Sequence, residues 1–130
     1  MYVDVHAHLI HPQFLGEEDA VAARARAAGV GHVIVNGLEP VSNRAVLALC
    51  RRHDNLHAAL GLYPVDAGAA AIDRAAWVHD FAPPAVVDAD AEIAFIEAHA
   101  DEIVAVGEVG LDAHWAPEAL ALQEDVLRRF

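Results

Sequence analysis

The sequence is poor in basic residues, cysteine and long apolar runs, and each shortage excludes a class of protein. Eight lysines and arginines face 20 aspartates and glutamates, which gives a formal charge of −12 and a surface that repels nucleic-acid phosphates and anionic membranes. A single cysteine excludes an intramolecular disulfide. No stretch approaches the ~18 apolar residues of a membrane-spanning helix, and the first residues lack the features of a signal peptide. We therefore expect a cytoplasmic protein without a membrane segment, in which any contact with nucleic acid is local.

What is abundant is apolar residues, and they predict a folded domain. The chain has 130 residues, of which 56% are hydrophobic and 22% charged, and this composition excludes a disordered protein. Its length suffices for one core but is about half that of a closed (β/α)8 barrel. Cys50 lies among apolar residues at helical spacing, which indicates a buried, inert thiol rather than a nucleophile.

Four β-rich runs alternate with helical patterns along the chain. The predicted strands cover residues 2–6, 32–35, 56–60 and 103–107, and the predicted helices cover residues 17–28, 42–53, 73–79, 89–99 and 117–130. We expect Ser42 to cap the second of these helices. The alternation predicts βαβ units and a parallel sheet, without a linker to a second domain. At this level an open doubly wound sheet and the first half of a closed barrel look alike.

The first strand carries side chains suited to chemistry. Alternation along a strand places Asp4, His6 and His8 on one face. Val3 and Val5 fall on the opposite face, which packs on helices in a barrel strand. Two imidazoles two residues apart can bind one cation from adjacent directions, with Asp4 a candidate to orient a ring through its other nitrogen. The alternative interpretation is a pair of polar residues that hydrogen-bond to the backbone.

A carboxylate follows the fourth predicted strand. Glu108 lies in the segment GEVGLD, at the strand end where barrels present catalytic groups. The flanking Gly107 and Gly110 permit close backbone approach. A glutamate bridging two cations would complement the histidines and make a two-metal hydrolytic centre possible. The alternative is a solvated glutamate in a turn.

Taken together, these segments resemble the TatD-like metal-dependent hydrolases of the amidohydrolase superfamily. The opening VDVHAHL is similar to the start of that family, ALGLYP to its Gly-x-His-Pro element, and VAVGEVGLD to its Gly-Glu-Ile-Gly-Leu-Asp signature. Gln123 falls where the family's next helix has glutamine. The resemblance implies an α/β fold of the (β/α)8 TIM-barrel type, of which the chain supplies about the first four βα units. Residues 1–130 are then the N-terminal half of a single barrel domain, with no second domain.

The same resemblance implies a function and a set of site residues. His6 and His8 are expected to bind one metal ion, and Glu108, the expected catalytic residue, to bridge two divalent ions (Mg, Mn or Zn). Metal-activated water then attacks a phosphoester, as in a DNase-like phosphodiesterase, and DNA or another phosphoester is the expected substrate. Asp4 and Asp112 are candidates to support the site from outside the metal ligands.

Two departures from the family pattern leave alternatives open. Tyr63 stands where the family has histidine, so a phenol replaces a substrate-facing imidazole or packs at the strand end. The family's further ligands, from strands five, six and eight, have no counterpart, and the last predicted helix reaches Phe130 without a stop signal. We expect either a chain lacking its second half or a half-barrel completed by self-association. The alternative functions are an amidohydrolase acting on a small ester or amide, and a catalytically inert half-barrel that binds metal or a partner.

Overall fold

The four predicted strands form one parallel sheet in chain order. In the computed structural model, which describes residues 1–130, the order is β1-β2-β3-β4 and every neighbouring pair is parallel. The strands are β1 (Tyr2–Ala7), β2 (Val30–Asn36), β3 (Leu56–Leu60) and β4 (Ile103–Val106). A doubly wound sheet reverses its strand order at a switch point, whereas barrel strands follow one another. The sequential order therefore matches the first half of a (β/α)8 barrel and confirms the predicted fold class.

Four helices connect the strands, and a fifth follows the last strand. They are α1 (Glu18–Ala27), α2 (Pro40–Cys50), α3 (Pro64–Ala67), α4 (Ala89–Ala98) and α5 (Leu120–Leu127), with single 3-10 turns at residues 12–14, 69–71, 100–102 and 117–119. None of these helices has the length and apolar character needed to cross a membrane.

The hydrophobic core lies between the sheet and the helices. Its largest cluster unites β2, β3 and α2 with single side chains from the loop after β1, from α1 and from α4: Leu9, Ala22, Val33, Val35, Val46, Leu47, Leu49, Leu56, Ala58, Leu60 and Ile96. Burying each leucine, isoleucine or valine of this cluster contributes ~1.5–3 kcal/mol relative to an exposed position. This cluster packs the two central strands, β2 and β3, against α2, and so holds the carboxyl ends of both strands in place.

The predicted apolar face of β1 is not covered. Val3 and Val5 are 54% and 67% exposed, and of this edge strand only Ala7 packs against the core. The pairing with β2 shifts register between Asp4 and Ala7, so the strict alternation assumed from the sequence is interrupted there. The prediction that the valines pack on helices was therefore wrong.

Helix α2 begins earlier than the sequence pattern predicts. Its N-cap is Glu39, whose carboxylate accepts the backbone N–H groups of Val41 and Ser42, both at 2.7 Å. The Ser42 hydroxyl in turn accepts the backbone N–H of Glu39 at 2.9 Å. This reciprocal arrangement satisfies the free donors of the first turn. Ser42 is thus the third helical residue and not the cap, which corrects the prediction by three positions.

The predicted helix at residues 73–79 is absent. The segment from residue 73 to residue 88 is irregular, and regular structure comes earlier, in α3 and the 3-10 turn at residues 69–71. Pro64 supplies the first position of α3, where proline is favoured. The Asp73 carboxylate accepts the backbone N–H of Ala75 at 2.9 Å, a local contact that competes with helix formation.

Candidate metal centre

Three side chains from the two edges of the sheet meet at the carboxyl ends of the strands. Nε2 of His6 and Nε2 of His8 lie 3.1 Å apart, and they lie 3.6 and 3.4 Å from Oε2 of Glu108. These three residues are the one cluster of potential metal ligands of three or more members in the chain. Their side chains are 52%, 33% and 30% exposed, so the centre is open to solvent.

The spacing of the three atoms fits a divalent cation. A point equidistant from the corners of this triangle, with sides of 3.1, 3.4 and 3.6 Å, lies about 2.0 Å from each corner. Zinc binds imidazole nitrogen at about 2.0–2.1 Å and carboxylate oxygen at about 2.0–2.2 Å. Two neutral imidazoles and one carboxylate are also a common donor set for such ions. The residues present therefore fit the metal that the sequence predicts.

The ring of His8 is oriented by the backbone of β2. Its Nδ1–H donates to the carbonyl oxygen of Asn36 at 3.2 Å, and this contact leaves the lone pair on Nε2, the atom that faces Glu108. The predicted orienting role of Asp4 is not seen, because its carboxylate accepts the backbone N–H of His6 at 3.1 Å and contacts neither ring. Asp4 holds the main chain of β1 where the histidines diverge from regular alternation.

Glu108 is positioned by the strand ends around it. Its backbone N–H donates to the carbonyl of Gly37 at 3.1 Å, and the N–H of Gly107 donates to Leu60 at 2.8 Å. A Cβ added at Gly61 would lie 2.5 Å from the Glu108 carbonyl oxygen and 2.7 Å from its nitrogen. Glycine at position 61 therefore permits the main chain of Glu108 to lie directly against the end of β3.

Tyr63 and Asp112 form a second contact between the ends of β3 and β4. The Tyr63 hydroxyl donates to Oδ2 of Asp112 at 3.0 Å, while Oδ1 accepts the backbone N–H groups of His114 and Trp115, each at 2.8 Å. Burial and then the nearby Asp112 carboxylate raise the pKa of Tyr63 to about 12. Burial alone would raise the pKa of Asp112, but these hydrogen bonds outweigh burial and hold that pKa below its ordinary value. The pair is thus a neutral phenol and an ionised carboxylate near neutral pH.

Gln123 fixes the loop that carries Asp112. Its side chain is fully buried, accepts the backbone N–H of Asp112 at 2.7 Å and donates to the carbonyl of Ala116 at 3.3 Å. The sequence comparison identified Gln123 as a family glutamine but predicted no structural role for it. The Asn36 carbonyl was missed altogether, because any residue at that position supplies the same backbone atom.

The other histidines do not join the centre. His32 and His57 hydrogen-bond to each other at 2.8 Å across β2 and β3, near the amino ends of these strands. His53 donates to Asp19 at 2.7 Å. Nδ1 of His11 caps the following 3-10 turn by accepting the N–H of Gln13. The His6–His8 pair therefore differs from the His32–His57 pair in having a carboxylate, that of Glu108, beside both rings.

Comparisons with known proteins agree with the resemblance seen in the motifs. The family described as TatD related DNase matches residues 3–130. The uncharacterized metal-dependent hydrolase YabD of Bacillus subtilis is 30% identical over 128 residues, which are 98% of this chain and 44% of YabD. The 3'-5' ssDNA/RNA exonuclease TatD of Enterobacter lignolyticus is 32% identical over 109 residues, which are 84% of this chain and 36% of that protein.

A solved structure gives the same relationship. The crystal structure of YjjV, a TatD homolog from Escherichia coli K12, matches with a TM-score of 0.72 and 31% identity, over 98% of this chain and 44% of YjjV. The chain thus spans less than half the length of these relatives. Its motifs, its strand order and the family match over residues 3–130 agree, and the chain belongs to the TatD-related DNase family.

Proposed function

We propose that this protein is a divalent-metal-dependent phosphodiesterase that acts on single-stranded nucleic acid. The observation that carries the proposal is the convergence of His6 Nε2, His8 Nε2 and Glu108 Oε2 within 3.1–3.6 Å of one another. Relatives named as metal-dependent hydrolases and as a single-strand exonuclease support the reaction class and the substrate. We also propose that residues 1–130 form the N-terminal half of a single barrel domain, in line with the length of those relatives.

His6, His8 and Glu108 are the proposed metal ligands. Both histidines face Oε2 of Glu108, which leaves Oε1 available to a second ion, and we propose that Glu108 bridges two. When bound, divalent ions lower the pKa of coordinated water and stabilise charge that develops on phosphoryl oxygens. The Asn36 carbonyl keeps His8 in the tautomer that presents a lone pair to the site.

Asp4, Tyr63 and Asp112 are proposed as positioning residues. Asp4 binds the backbone N–H of His6 and so fixes where that ring leaves the strand. The hydrogen bond from Tyr63 to Asp112 ties the end of β3 to the loop that follows Glu108. A phenol stands here in place of the histidine of the family motif. Since the pKa of Tyr63 is raised to about 12, its side chain carries no charge near neutral pH.

The proposal is tested by hydrolysis of single-stranded DNA with full-length protein that has been stripped of metal and then supplied with Mg²⁺, Mn²⁺ or Zn²⁺. Hydrolysis is expected only with metal, and Glu108→Gln is expected to lower the rate by about 100-fold or more, since even partners outside the ligand shell contribute 10- to 100-fold. His57→Ala is the control, because His57 contacts another histidine but no carboxylate of the centre.

Two outcomes contradict the proposal. Absence of DNA cleavage with every metal, together with turnover of small esters or amides, would favour the amidohydrolase alternative. Loss of cleavage in His57→Ala but not in Glu108→Gln would show that the catalytic site is not at His6, His8 and Glu108.

A further inference from the structure

Five rings meet where the loop after β4 contacts the irregular segment before α4. Trp77, His79, Phe81, His114 and Trp115, here called the ring cluster, come from the irregular segment before α4 and from the loop after β4. Neighbouring ring centroids lie 4.5–5.6 Å apart, and most pairs meet edge to face. Both tryptophans of the chain belong to this cluster.

Two polar groups of the ring cluster are hydrogen-bonded within it, and two of its rings remain partly exposed. The Trp77 indole N–H donates to the Phe81 carbonyl at 2.7 Å, and Nε2 of His79 donates to the Trp115 carbonyl at 3.1 Å. Phe81 is nevertheless 46% exposed and Trp115 37% exposed. Large apolar groups that stay exposed side by side indicate a binding surface more than a loop core. The rings are thus held in place by their mutual contacts, and part of their surface remains accessible to a ligand.

Four of the five rings line a cleft of about 440 Å³, a size within the usual range of ligand sites, and the fifth, Phe81, lies beside it with its ring centroid 5.3 Å from that of Trp115. Its polar and aromatic lining comprises Asp73, Trp77, His79, His114, Trp115 and Glu118, and no arginine or lysine lines it. The cleft therefore offers π faces and carboxylate acceptors but no cation for a phosphate.

The charges of the whole chain restrict how it can hold a polyanion. All eight basic residues are arginines, and six of them form an ion pair with a carboxylate of the same chain. With a formal charge of −12, the surface of this chain lacks the cationic groove that usually follows a phosphate backbone. Apart from the metal ions proposed at His6, His8 and Glu108, these residues offer few cations to the phosphates, so we expect their further affinity for single-stranded nucleic acid to come from the uncharged bases.

We propose that the ring cluster binds a base of the single-stranded substrate, by stacking on the partly exposed rings of Phe81 and Trp115. Stacking is tolerant of base identity because every base has a π face. Asp73 and Glu118 add a preference for bases that carry an amino group, since carboxylates accept hydrogen bonds from such groups. This inference rests on the proposed function and names how that function's substrate is held.

The covalent path from Glu108 to Trp115 sets an upper limit on the distance between the metal centre and the ring cluster. Glu108 and Trp115 are seven residues apart in one loop, and seven residues span at most ~25 Å when fully extended. The Asp112 carboxylate, which accepts the backbone N–H of Trp115, also accepts the Tyr63 hydroxyl and so holds the loop in a compact form. The stacked base therefore belongs to the cleaved nucleotide or to one a few positions away.

Binding is tested by tryptophan emission of the full-length, metal-free protein. Titration with dCMP is expected to quench the emission with saturation, dTMP to bind more weakly, and deoxyribose 5-phosphate to have no effect. Phe81→Ala keeps both tryptophans and is expected to weaken dCMP binding by about 5- to 150-fold, the range for loss of one aromatic stacking partner. Phe130→Ala is the matched control, because Phe130 is similarly exposed but lies outside the ring cluster.

The paired variant Asp73→Asn with Glu118→Gln leaves all five rings in place and keeps the test meaningful if Phe81→Ala misfolds. It is expected to abolish the preference for dCMP over dTMP while binding of both persists. Quenching by tetramethylammonium but not by dCMP would overturn the inference and assign the cleft to organic cations. Unchanged emission with every ligand would also overturn it and leave the rings a role in closing their loop.

Cleavage of oligonucleotides separates this inference from the proposed function. Phe81→Ala is expected to slow hydrolysis of single-stranded DNA but not of an oligonucleotide with abasic sites around the scissile bond. Equal rates for Phe81→Ala and the unmodified protein on normal DNA would refute the ring cluster's role while the nuclease proposal stands. Absence of all phosphodiester cleavage, with dCMP still quenching the emission, would refute the nuclease proposal alone.

Discussion

Replacing Asp66 with asparagine is expected to stabilise the protein near pH 8 and to have little effect near pH 4. Burial, and then the nearby Glu39 carboxylate, raise the pKa of Asp66 from 3.8 to about 6. The folded state therefore binds this proton more tightly than the unfolded state does. The stabilising contribution is complete below the unfolded pKa and is lost as the pH rises through about 6.

The size of the effect follows from the same pKa difference. A difference of about two pH units corresponds to ~3 kcal/mol, and because Asp66 is only partly buried, solvent screening reduces this to ~1–2 kcal/mol. The variant Asp66→Asn keeps the shape of the protonated side chain and cannot ionise. Its free energy of unfolding near pH 8 should therefore exceed that of the unmodified protein by this amount.

Urea denaturation of full-length protein at several pH values measures this difference. The gap between Asp66→Asn and the unmodified protein should grow as the pH rises from about 4 to about 8. Asp101→Asn serves as the control, because Asp101 is exposed and its replacement should leave no such trend. A variant that is less stable near pH 8, or a gap that does not vary with pH, would refute the reasoning about Asp66.

Three further predictions concern other groups of the fold. Gly61→Ala should weaken metal binding by about tenfold or more, measured by calorimetry, because the added Cβ would displace the main chain of Glu108. Gly107→Ala is the control, because its Cβ would have its nearest neighbour at 3.5 Å, and this variant should bind metal more tightly than Gly61→Ala. The reverse order of affinities would contradict the role given to Gly61. Burial raises the pKa of Cys50 to about 11, so native protein near pH 8 should react with a thiol reagent about 100-fold more slowly than urea-denatured protein, and equal rates would show an accessible thiolate. Tyr63 should stay protonated until about pH 12, so ultraviolet titration of Tyr63→Phe should lose a transition near that pH, and loss of a transition near pH 10 instead would contradict the burial of the phenol.

The strand order and the three residues at the centre were accessible from sequence for physical reasons. Alternating strand and helix patterns require parallel pairing, and parallel pairing brings the carboxyl ends of all strands to one edge of the sheet. His6 and His8 follow from the first strand and Glu108 from the fourth, so their convergence requires only that the strands lie side by side and curve. The structure places these atoms within 3.6 Å of one another.

What the sequence pattern missed depends on backbone geometry and on packing between distant segments. The pairing of β1 with β2 shifts register between Asp4 and Ala7, and no side-chain pattern predicts such a shift; Val3 and Val5 are exposed because β1 is an edge strand. The Asn36 carbonyl orients His8 through an atom common to all residues. The irregular segment after α3 was mistaken for a helix because its alanines favour one, whereas the Asp73 turn and the contacts of Trp77 hold it in another conformation.

His6, His8 and Glu108 are proposed to hold a divalent cation through Nε2, Nε2 and a carboxylate oxygen, and the function proposed for this protein depends on that site. A crystal of the full-length protein grown with Zn²⁺ and measured at the zinc absorption edge tests it directly. An anomalous peak is expected about 2.0–2.2 Å from each of these three atoms, with Nδ1 of His8 still donating to Asn36. A peak at the His32 and His57 pair alone, or a zinc ion bound through Nδ1 of His8, would contradict the account.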